Sequence, residues 1–330
     1  MLSNLLFLIK LIRVLKKYNV LILINKNIRF KFLFIFFTNL ISIGVSYDRK
    51  HKNKSDGLRI AQALNELGPS FVKLGQLIST RPDIVGNTIA EDLSLLRDNL
   101  PPFSRKIAIE IIEDEFGTSI DSIFSQFSEP IAAASIAQVH FAKIKSSNTE
   151  IDVAVKVLRP DIEKIINQEM ERLEWLTTFM ESFTEFQRLR PNSIIKKAKE
   201  VIKFELDLRY EAAAASELSE NTNMDESFYV PKVYWDKVTQ KILTMEKIIG
   251  VPADKIDELN EKKVNKKQAA ENLIINFLRQ SIRDGYFHAD LHQGNLFLNP
   301  KGKLLAVDFG IMGRLDLSLI HISEPTRLSL

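Results

Sequence analysis

The period of the apolar positions changes several times along the chain, and each change marks an element. Leu5 to Ile24 is mostly Leu, Ile, Val and Phe with Lys10, Arg13 and Lys17 on one helical face, which predicts an amphipathic helix. Gly57 to Asn65 reads as helical and leads into Leu67 to Gln76, where Lys73 and Gln76 share a helix face with Ser70 and Thr80. Ser104 to Gly117 and Ser119 to Phe127 read as two more helices, and Asn192 to Glu220 as one long helix. Alternating β-branched residues from Ile151 to Leu158 predict a strand, and Phe228 to Trp235 and Val238 to Lys247 predict two others. After a charged stretch, Asp254 to Lys267, the residues Ala270, Leu273, Ile274, Phe277, Leu278 and Ile282 recur at helical spacing. Gly285 follows where a left-handed cap would end that helix. Leu296 to Leu298 and Lys303 to Val307 then form a hairpin around Asn299-Pro300-Lys301-Gly302, with Pro and Gly where a turn wants them.

At 330 residues and 45% hydrophobic content the chain has ample material for a two-domain or two-lobed fold. A net charge of +3 gives no case for nucleic-acid binding. The absence of cysteine excludes disulfides, thiolate metal sites and cysteine nucleophiles. Charge is uneven, however, because residues 1 to 54 carry eleven Lys or Arg against the single acid Asp48. A basic, apolar helix of that kind suits a bilayer interface, with its cations toward anionic headgroups. The alternative is an ordinary helix packed on the main domain. Phe32 to Tyr47 is uncharged for sixteen residues, short of the ~20 that span a bilayer core. The polar link from Asp48 to Asp56 predicts a domain boundary.

Folding the Leu296–Val307 hairpin brings its open ends together, with Asn295 at one, Asp308 at the other and Asp290 on the loop feeding in. Two carboxylates and a carboxamide oxygen then share a small volume, and hard oxygen ligands suit Mg²⁺ held partly by substrate phosphates. Lys156 has apolar neighbours on its strand, so its ammonium is expected to be buried and to need a partner. Asp207 and Glu211, four apart on a predicted helix, repel each other and call for a cation. Lys156, Lys73 or a bound Mg²⁺ would serve; Arg209 and solvent are the surface alternative. Lys73 and Gln76, read alone, make a solvated polar stripe, and Ala132 to Ala137, read alone, start a helix. His288 and His292 have the spacing of a zinc helix, but Gly285 and Gly294 bracket a loop there and no Glu follows His288.

Taken together these segments carry a resemblance. Asp290-x-x-x-x-Asn295 followed by a hairpin and Asp308-Phe309-Gly310 resembles the catalytic loop and metal-binding segment of protein kinases, and Val153-Ala154-Val155-Lys156 resembles the kinase phosphate-lysine strand. Lys73-Leu74-Gly75-Gln76 is similar to the Lys-x-Gly-Gln signature of the UbiB family, atypical kinase-like, aarF-domain proteins associated with ubiquinone biosynthesis. Glu205-Leu206-Asp207 matches that family's Glu-x-Asp motif, and the alanine-rich turn Ala132, Ala133, Ala134, Ser135, Ile136, Ala137 stands where ordinary kinases carry a Gly-rich loop. The chain contains no Gly-x-Gly. Leu291 and Gln293 depart from the family, whose members commonly have prolines there.

The resemblance implies an α+β, two-lobed protein-kinase-like fold with an N-terminal helical extension over the active site. The expected organisation is a membrane-associating segment (1–54), the helical extension (55–128), an N-lobe with inserted helices (129–250), a partial C-lobe (251–315) and an unmatched tail (316–330). The larger lobe is expected to be truncated, leaving the apolar face of Ala270 to Ile282 partly uncovered. It implies ATP and Mg²⁺ as cofactors: Lys156 positions phosphates, Glu211 pairs with it, Glu205 and Asp207 meet Lys73 beside Gln76, and Met245 and Glu246 lie at the hinge where adenine binds. Asn295 and Asp308 would bind metal and Asp290 would orient or activate the nucleophile, while His288 would be structural. The implied function is ATP hydrolysis or phosphoryl transfer supporting ubiquinone biosynthesis at the cytoplasmic face of a bacterial inner membrane or an organellar equivalent. Implied partners are the membrane surface or anionic lipids and ubiquinone-biosynthesis enzymes or prenylated precursors; a homodimer is compatible. The alternative is a nucleotide-gated scaffold or lipid-handling protein with weak catalysis. A redox hydroxylase finds no support, because no dinucleotide fingerprint, cysteine or iron-ligand cluster is present.

Overall fold

A computed structural model describes residues 2–25, 38, 41–45, 54–94, 96, 101–146, 149–183, 187–188 and 190–315. Most of the uncharged run from Phe32 to Tyr47, most of the link from Asp48 to Asp56 and the tail 316–330 lie outside the described residues. In chain order the main helices are α1 (Leu2–Lys17), α2 (Leu21–Asn25), α3 (Asp56–Leu67), α4 (Pro69–Ser79), α5 (Asn87–Ser94), α6 (Arg105–Phe116), α7 (Ile162–Met180), α8 (Pro191–Glu205), α9 (Leu208–Asn221) and α10 (Lys266–Leu278). The strands are β1 (Gln126–Ala133), β2 (Ala137–Ser146), β3 (Thr149–Leu158), β4 (Phe228–Tyr229), β5 (Ile242–Glu246), β6 (Val251–Pro252), β7 (Tyr286–His288), β8 (Leu296–Leu298), β9 (Leu304–Ala306) and β10 (Met312–Arg314). They fall into two compact units, one of Met1–Pro102, Ala133–Ala137 and Arg159–Lys203, the other of Phe103–Ala132, Gln138–Leu158 and Phe204–Leu330.

The first unit is helical. The apolar run expected as one helix breaks at Asn19, whose backbone is left-handed (φ 60°), and gives α1 and α2. The cationic face of α1 stays at the surface, with Lys10 and Arg13 exposed; Lys10 Nζ donates to Leu67 O at 3.2 Å, and Lys17 Nζ pairs with Glu66 at 2.6 Å. Leu5 and Leu6 are left exposed. Ser55 caps α3, and Gly68, at φ 127°, both ends α3 and starts α4, which lets two helices meet at a single residue. Gly75 of the Lys-x-Gly-Gln motif has a packing role. A Cβ built there would stand 2.6 Å from methyls of both Leu64 and Leu96, so a larger residue would oblige those two side chains to shift.

In the second unit the sheet order is β1-β2-β3-β5. Because side chains alternate along a strand, Val153, Val155 and Val157 enter one core with Ile112, Phe124, Ile144 and Ile242, against which α6 packs. A second sheet, β4-β9-β8-β6, contains the predicted hairpin, with Phe297 opposite Leu305 and a turn closed by Gly302 at φ 80°. Three expectations are corrected. Residues 119–127 hold only one helical turn, Ile120–Ile123, because strand β1 begins at Gln126. Phe228 to Trp235 contributes only a two-residue strand, and 235–237 is a 3₁₀ turn. The long helix over 192–220 is two helices, since Asp207 leaves helical geometry (φ −127°, ψ 98°) and its carboxylate accepts the Arg209 amide as the N-cap of α9. No described helix is long and apolar enough to cross a membrane.

Helix α10 also departs from the simple amphipathic picture. Asn272, Asn276, Gln280 and Ser281 are buried, whereas Ile274, Phe277, Leu278 and Ile282 are exposed. The inward stripe is polar because it satisfies backbone and polar groups of the second sheet. Asn272 Nδ2 donates to Gly302 O at 2.8 Å and Asn276 Nδ2 to Ser227 Oγ at 2.9 Å.

Candidate functional site

Within the second unit, alternation along β3 sends Lys156 to the side opposite the valine core, where α9 begins. Glu211, in the first turn of α9, receives the Lys156 ammonium on both oxygens, at 2.9 and 2.8 Å. The lysine side chain is 16% exposed and the glutamate 7%. Burial pushes the Glu211 carboxyl up, and the nearby Asp308 adds to this; the Lys156 charge and the Phe309 amide pull it down. A charged pair so placed is kept only if its hydrogen bonds are well made, and here both oxygens are engaged. Asp308 Oδ1 stands 3.5 Å from the same ammonium, while half of its side chain remains open to solvent (52%). Its backbone is left-handed, φ 60°, a conformation that aspartate tolerates better than most residues and that the Gly310 amide supports by donating to Oδ1 at 3.3 Å.

The other members come from the strand and loop before the hairpin. His288 is buried on β7; its Nδ1 accepts the Asp290 amide at 3.2 Å, which leaves the proton on Nε2 to donate to Val307 O at 3.4 Å. Burial pushes its imidazole below the ordinary histidine range, so it stays neutral. Both ring nitrogens are thereby committed to fixing the loop against the strand that leads to Asp308. His292 is exposed and lies 3.6 Å from Asp290 Oδ2. Asn295 opposes Val307, whose amide donates to Asn295 O at 2.9 Å, and its side-chain Nδ2 donates to Asp290 O and Oδ2 at 3.1 and 3.3 Å. The carboxamide oxygen and the Asp308 carboxylate are then the hard donors at the two hairpin ends. Among the described residues no group of three His, Asp or Glu side chains is arranged to hold a metal. Two protein oxygens with phosphates completing the shell is the arrangement that suits Mg²⁺, and the donor set fits it.

Sequence reasoning missed several supporting residues. Gln280 is fully buried and its Oε1 accepts the His288 amide at 3.2 Å. It lies on a π turn, Arg279–Arg283, closed by the Asp284 amide donating to Arg279 O at 3.1 Å. Asp225, 4% exposed, fastens that turn by accepting Arg279 and Arg283 at 3.1 and 2.8 Å. The available signal was the spacing Asn272, Asn276, Gln280, a polar stripe at helical period.

The remaining expected residues are located as follows. Ala132 to Ala137 are not a helix start: Ala132 and Ala133 end β1, Ala137 begins β2 and residues 134–136 turn between them, with Ala134 N donating to Ala137 O at 2.7 Å. Arg159 holds that turn, with Nε and Nη2 donating to Ala134 O at 3.0 and 2.8 Å and Nη1 to Pro101 O at 3.0 Å. Ser135, Ile136 and Ala137 are buried. Met245 lies in β5 opposite Ala154. The Glu246 carboxylate accepts the Tyr229 hydroxyl, which burial first and then this carboxylate push up to about 12. The amides of Glu246 and Lys247 are already taken by Lys232 O and Asp152 O, at 2.8 and 3.2 Å. Lys73 and Gln76 stand half-buried on α4 in the first unit, where Gln76 Nε2 donates to Leu96 O at 3.4 Å. Glu205 ends α8 in the second unit. Asp207 pairs with Arg209 of its own helix at 2.6 Å; this guanidinium holds its carboxyl below the usual range, against the smaller effect of burial. The expected four-residue repulsion with Glu211 does not arise in helical form, because Asp207 is a cap.

The profile of the ABC1 atypical kinase-like domain matches residues 95–321. The chain is similar to proteins named "Probable protein kinase UbiB": 39% identical over 273 residues to that of Pseudomonas paraeruginosa, covering 81% of this chain and 51% of the relative, and 41% identical to that of Pseudomonas entomophila, covering 81% and 50%. It spans about half the length of these curated relatives. Among solved structures it is similar to Rv3197 of Mycobacterium tuberculosis, determined in complex with erythromycin, with a TM-score of 0.52 and 26% identity over 73% of this chain and 59% of that one.

Proposed function

The chain belongs to the UbiB family of ABC1 atypical kinase-like proteins and has a kinase-like α+β fold, and from that membership we propose that it is an Mg²⁺·ATP-using phosphotransferase or ATPase acting in ubiquinone biosynthesis at a membrane surface. The observation that carries the reading is the Lys156 ammonium, held on both oxygens of buried Glu211 and 3.5 Å from Asp308. Strand β3 and helix α9 fix that ammonium in place before any ligand arrives, so little is lost in ordering it on binding.

In this reading Lys156 binds phosphate oxygens, and Glu211 keeps the lysine charged and aimed. Asn295 and Asp308 would hold Mg²⁺, which when bound neutralises phosphate charge and orients the group to be transferred. Asp290, 41% exposed and steadied by the Asn295 amide, orients the attacking hydroxyl or water and accepts its proton. His288, neutral and doubly bonded, keeps Asp290 and the approach to Asp308 at a constant separation. The exposed Leu5 and Leu6 of α1 support contact with a lipid surface.

The test is nucleotide binding and ATP turnover measured with and without anionic vesicles, on the chain and on Asp308→Asn. Mg²⁺·ATP-dependent turnover that vesicles raise and the substitution abolishes is expected. Full activity in the variant would remove Asp308 from the metal role, and nucleotide binding with no turnover in either protein would make the chain a nucleotide-gated scaffold.

A further inference from the structure

Within the second unit, two short stretches of chain run between the β1-β2-β3-β5 sheet, which presents Lys156, and the β4-β9-β8-β6 sheet, which leads into Asp308. The first leaves β4 after Tyr229 and reaches β5, where Tyr234 N donates to Thr244 O at 3.0 Å and Val233 bridges Met245. The second leaves β5 after Glu246 and reaches β6 at Val251. It presses on the second sheet at Gly250, where an added Cβ would come within 3.1 Å of Phe297 and Leu305. Two such crossings with nothing to join them would act as a hinge.

A side-chain bond joins them. The Tyr229 hydroxyl, on a strand of the second sheet, donates to Glu246 Oε2 at the end of a strand of the first, and the same oxygen accepts the Lys232 amide at 3.3 Å. Both side chains are half-buried, so this hydrogen bond to a carboxylate is only partly exposed to competing water. Its position along the sheets is what couples it to the site. Glu246 lies three residues along β5 from Leu243, the partner of Lys156, and Tyr229 pairs with Leu305, three residues before Asp308. At ~3.3 Å per residue, the bond stands about 10 Å along β5 from the level of Lys156. Tyr229–Glu246 and Lys156–Asp308 are thus two contacts between the same pair of sheets, one at the crossings and one at the site.

We infer that the Tyr229–Glu246 bond is a clamp on this hinge, and that its two side chains are positioning residues which hold Lys156 at a constant distance from Asp308 before any ligand arrives. For its effect on ATP the inference rests on the nucleotide reading above; for its effect on the distance between the sheets it does not. Neither side chain has a part in holding phosphate or metal. With the clamp broken, ordering the hinge becomes part of the cost of binding, so nucleotide affinity falls. A molecule already loaded has met that cost, and its rate of turnover stays the same.

The experiment measures distance and affinity on the full chain. Because the chain has no cysteine, Lys145→Cys on β2 and Lys301→Cys on the β8–β9 turn, both exposed, carry one spin label on each sheet. A narrow distribution of label distances is expected in the parent and a broader one in Tyr229→Phe and in Glu246→Ala, with the double variant no broader than either single one. In unlabelled protein each substitution should raise the Kd for Mg²⁺·ATP roughly tenfold, the worth of a hydrogen bond to a charged group, at unchanged kcat. Glu246→Gln keeps an acceptor for the hydroxyl and should restore most of both. Distances as narrow in the variants as in the parent overturn the inference, even if the melting temperature falls, since the bond would then serve packing alone. A Kd that stays at the parent's value while the distances broaden also overturns it. A parent that binds no nucleotide would sink the nucleotide reading, and the clamp would then stand or fall by the distances.

Discussion

The two four-stranded sheets of the second unit both bury apolar side chains but are tied to their neighbouring helices by different means. The β1-β2-β3-β5 sheet is held by an oily core of valines, isoleucines and phenylalanines, whereas β4-β9-β8-β6 is tied to α10 through carboxamides. The first gives its stability to a shape and presents a single functional side chain, Lys156. The second presents Asn295 and leads into Asp308 from its hairpin ends, so the positions of individual backbone groups matter more there than the volume filled. Hydrophobic packing is non-directional, and hydrogen bonds are not. The difference explains why the residues that take part in positioning lie beside the sheet that carboxamides tie to its helix.

The comparison is broken most severely from the apolar side. Ile242→Ala removes a fully buried side chain from the first core and should cost about 2–5 kcal/mol, read as a lower urea midpoint. Nucleotide affinity per folded molecule should hardly change, and a large loss would mean that this sheet also sets the site's geometry. Asn272→Leu keeps the volume but leaves Gly302 O without its donor, at about 1–3 kcal/mol. Here affinity and turnover should fall out of proportion to stability; a variant that is destabilised yet fully active would make the polar stripe a matter of packing alone.

The smallest effect is on pH. Burial pushes both His140, stacked 4.4 Å from Phe127 in the first sheet, and His288 below the ordinary value of 6.5. A histidine depressed in the folded state contributes stability that is present above the unfolded value and is lost as pH falls toward the folded one. Urea midpoints should therefore be flat above neutrality and decline below about pH 6.5. A midpoint that rises on acidification would show that neither ring is kept neutral by its surroundings.

Two strands of the first sheet, β3 and β5, were legible in the sequence, whereas β1 and β2 were not. Ile151 to Leu158 announces a strand by alternation, and Lys156 stands out because a charge interrupts it. The hairpin at Asn299 to Gly302 was legible for a related reason, since Pro and Gly restrict what the backbone can do. The break at Asp207 was not. Helical periodicity continues through it, and only the competition between an aspartate side chain and the backbone decides that it caps instead of continuing. The orientation of α10 misled in the same way: its apolar residues at helical spacing pointed to a buried oily face, but Asn272, Asn276 and Gln280 face the sheet. Hydropathy ranks side chains by their cost in oil. It does not register that a Gly302 carbonyl and a His288 amide also need partners.

The π turn at Arg279–Arg283 carries one residue more than an ordinary helix would use over the same rise. Deleting a single amino acid from this segment would restore regular winding and remove the wide turn that carries Gln280. Gln280 would then no longer meet the His288 amide, although no residue at the site itself had been altered. Length in this short segment is therefore as much a functional property as composition, and the segment should tolerate substitution far better than it tolerates a codon gained or lost.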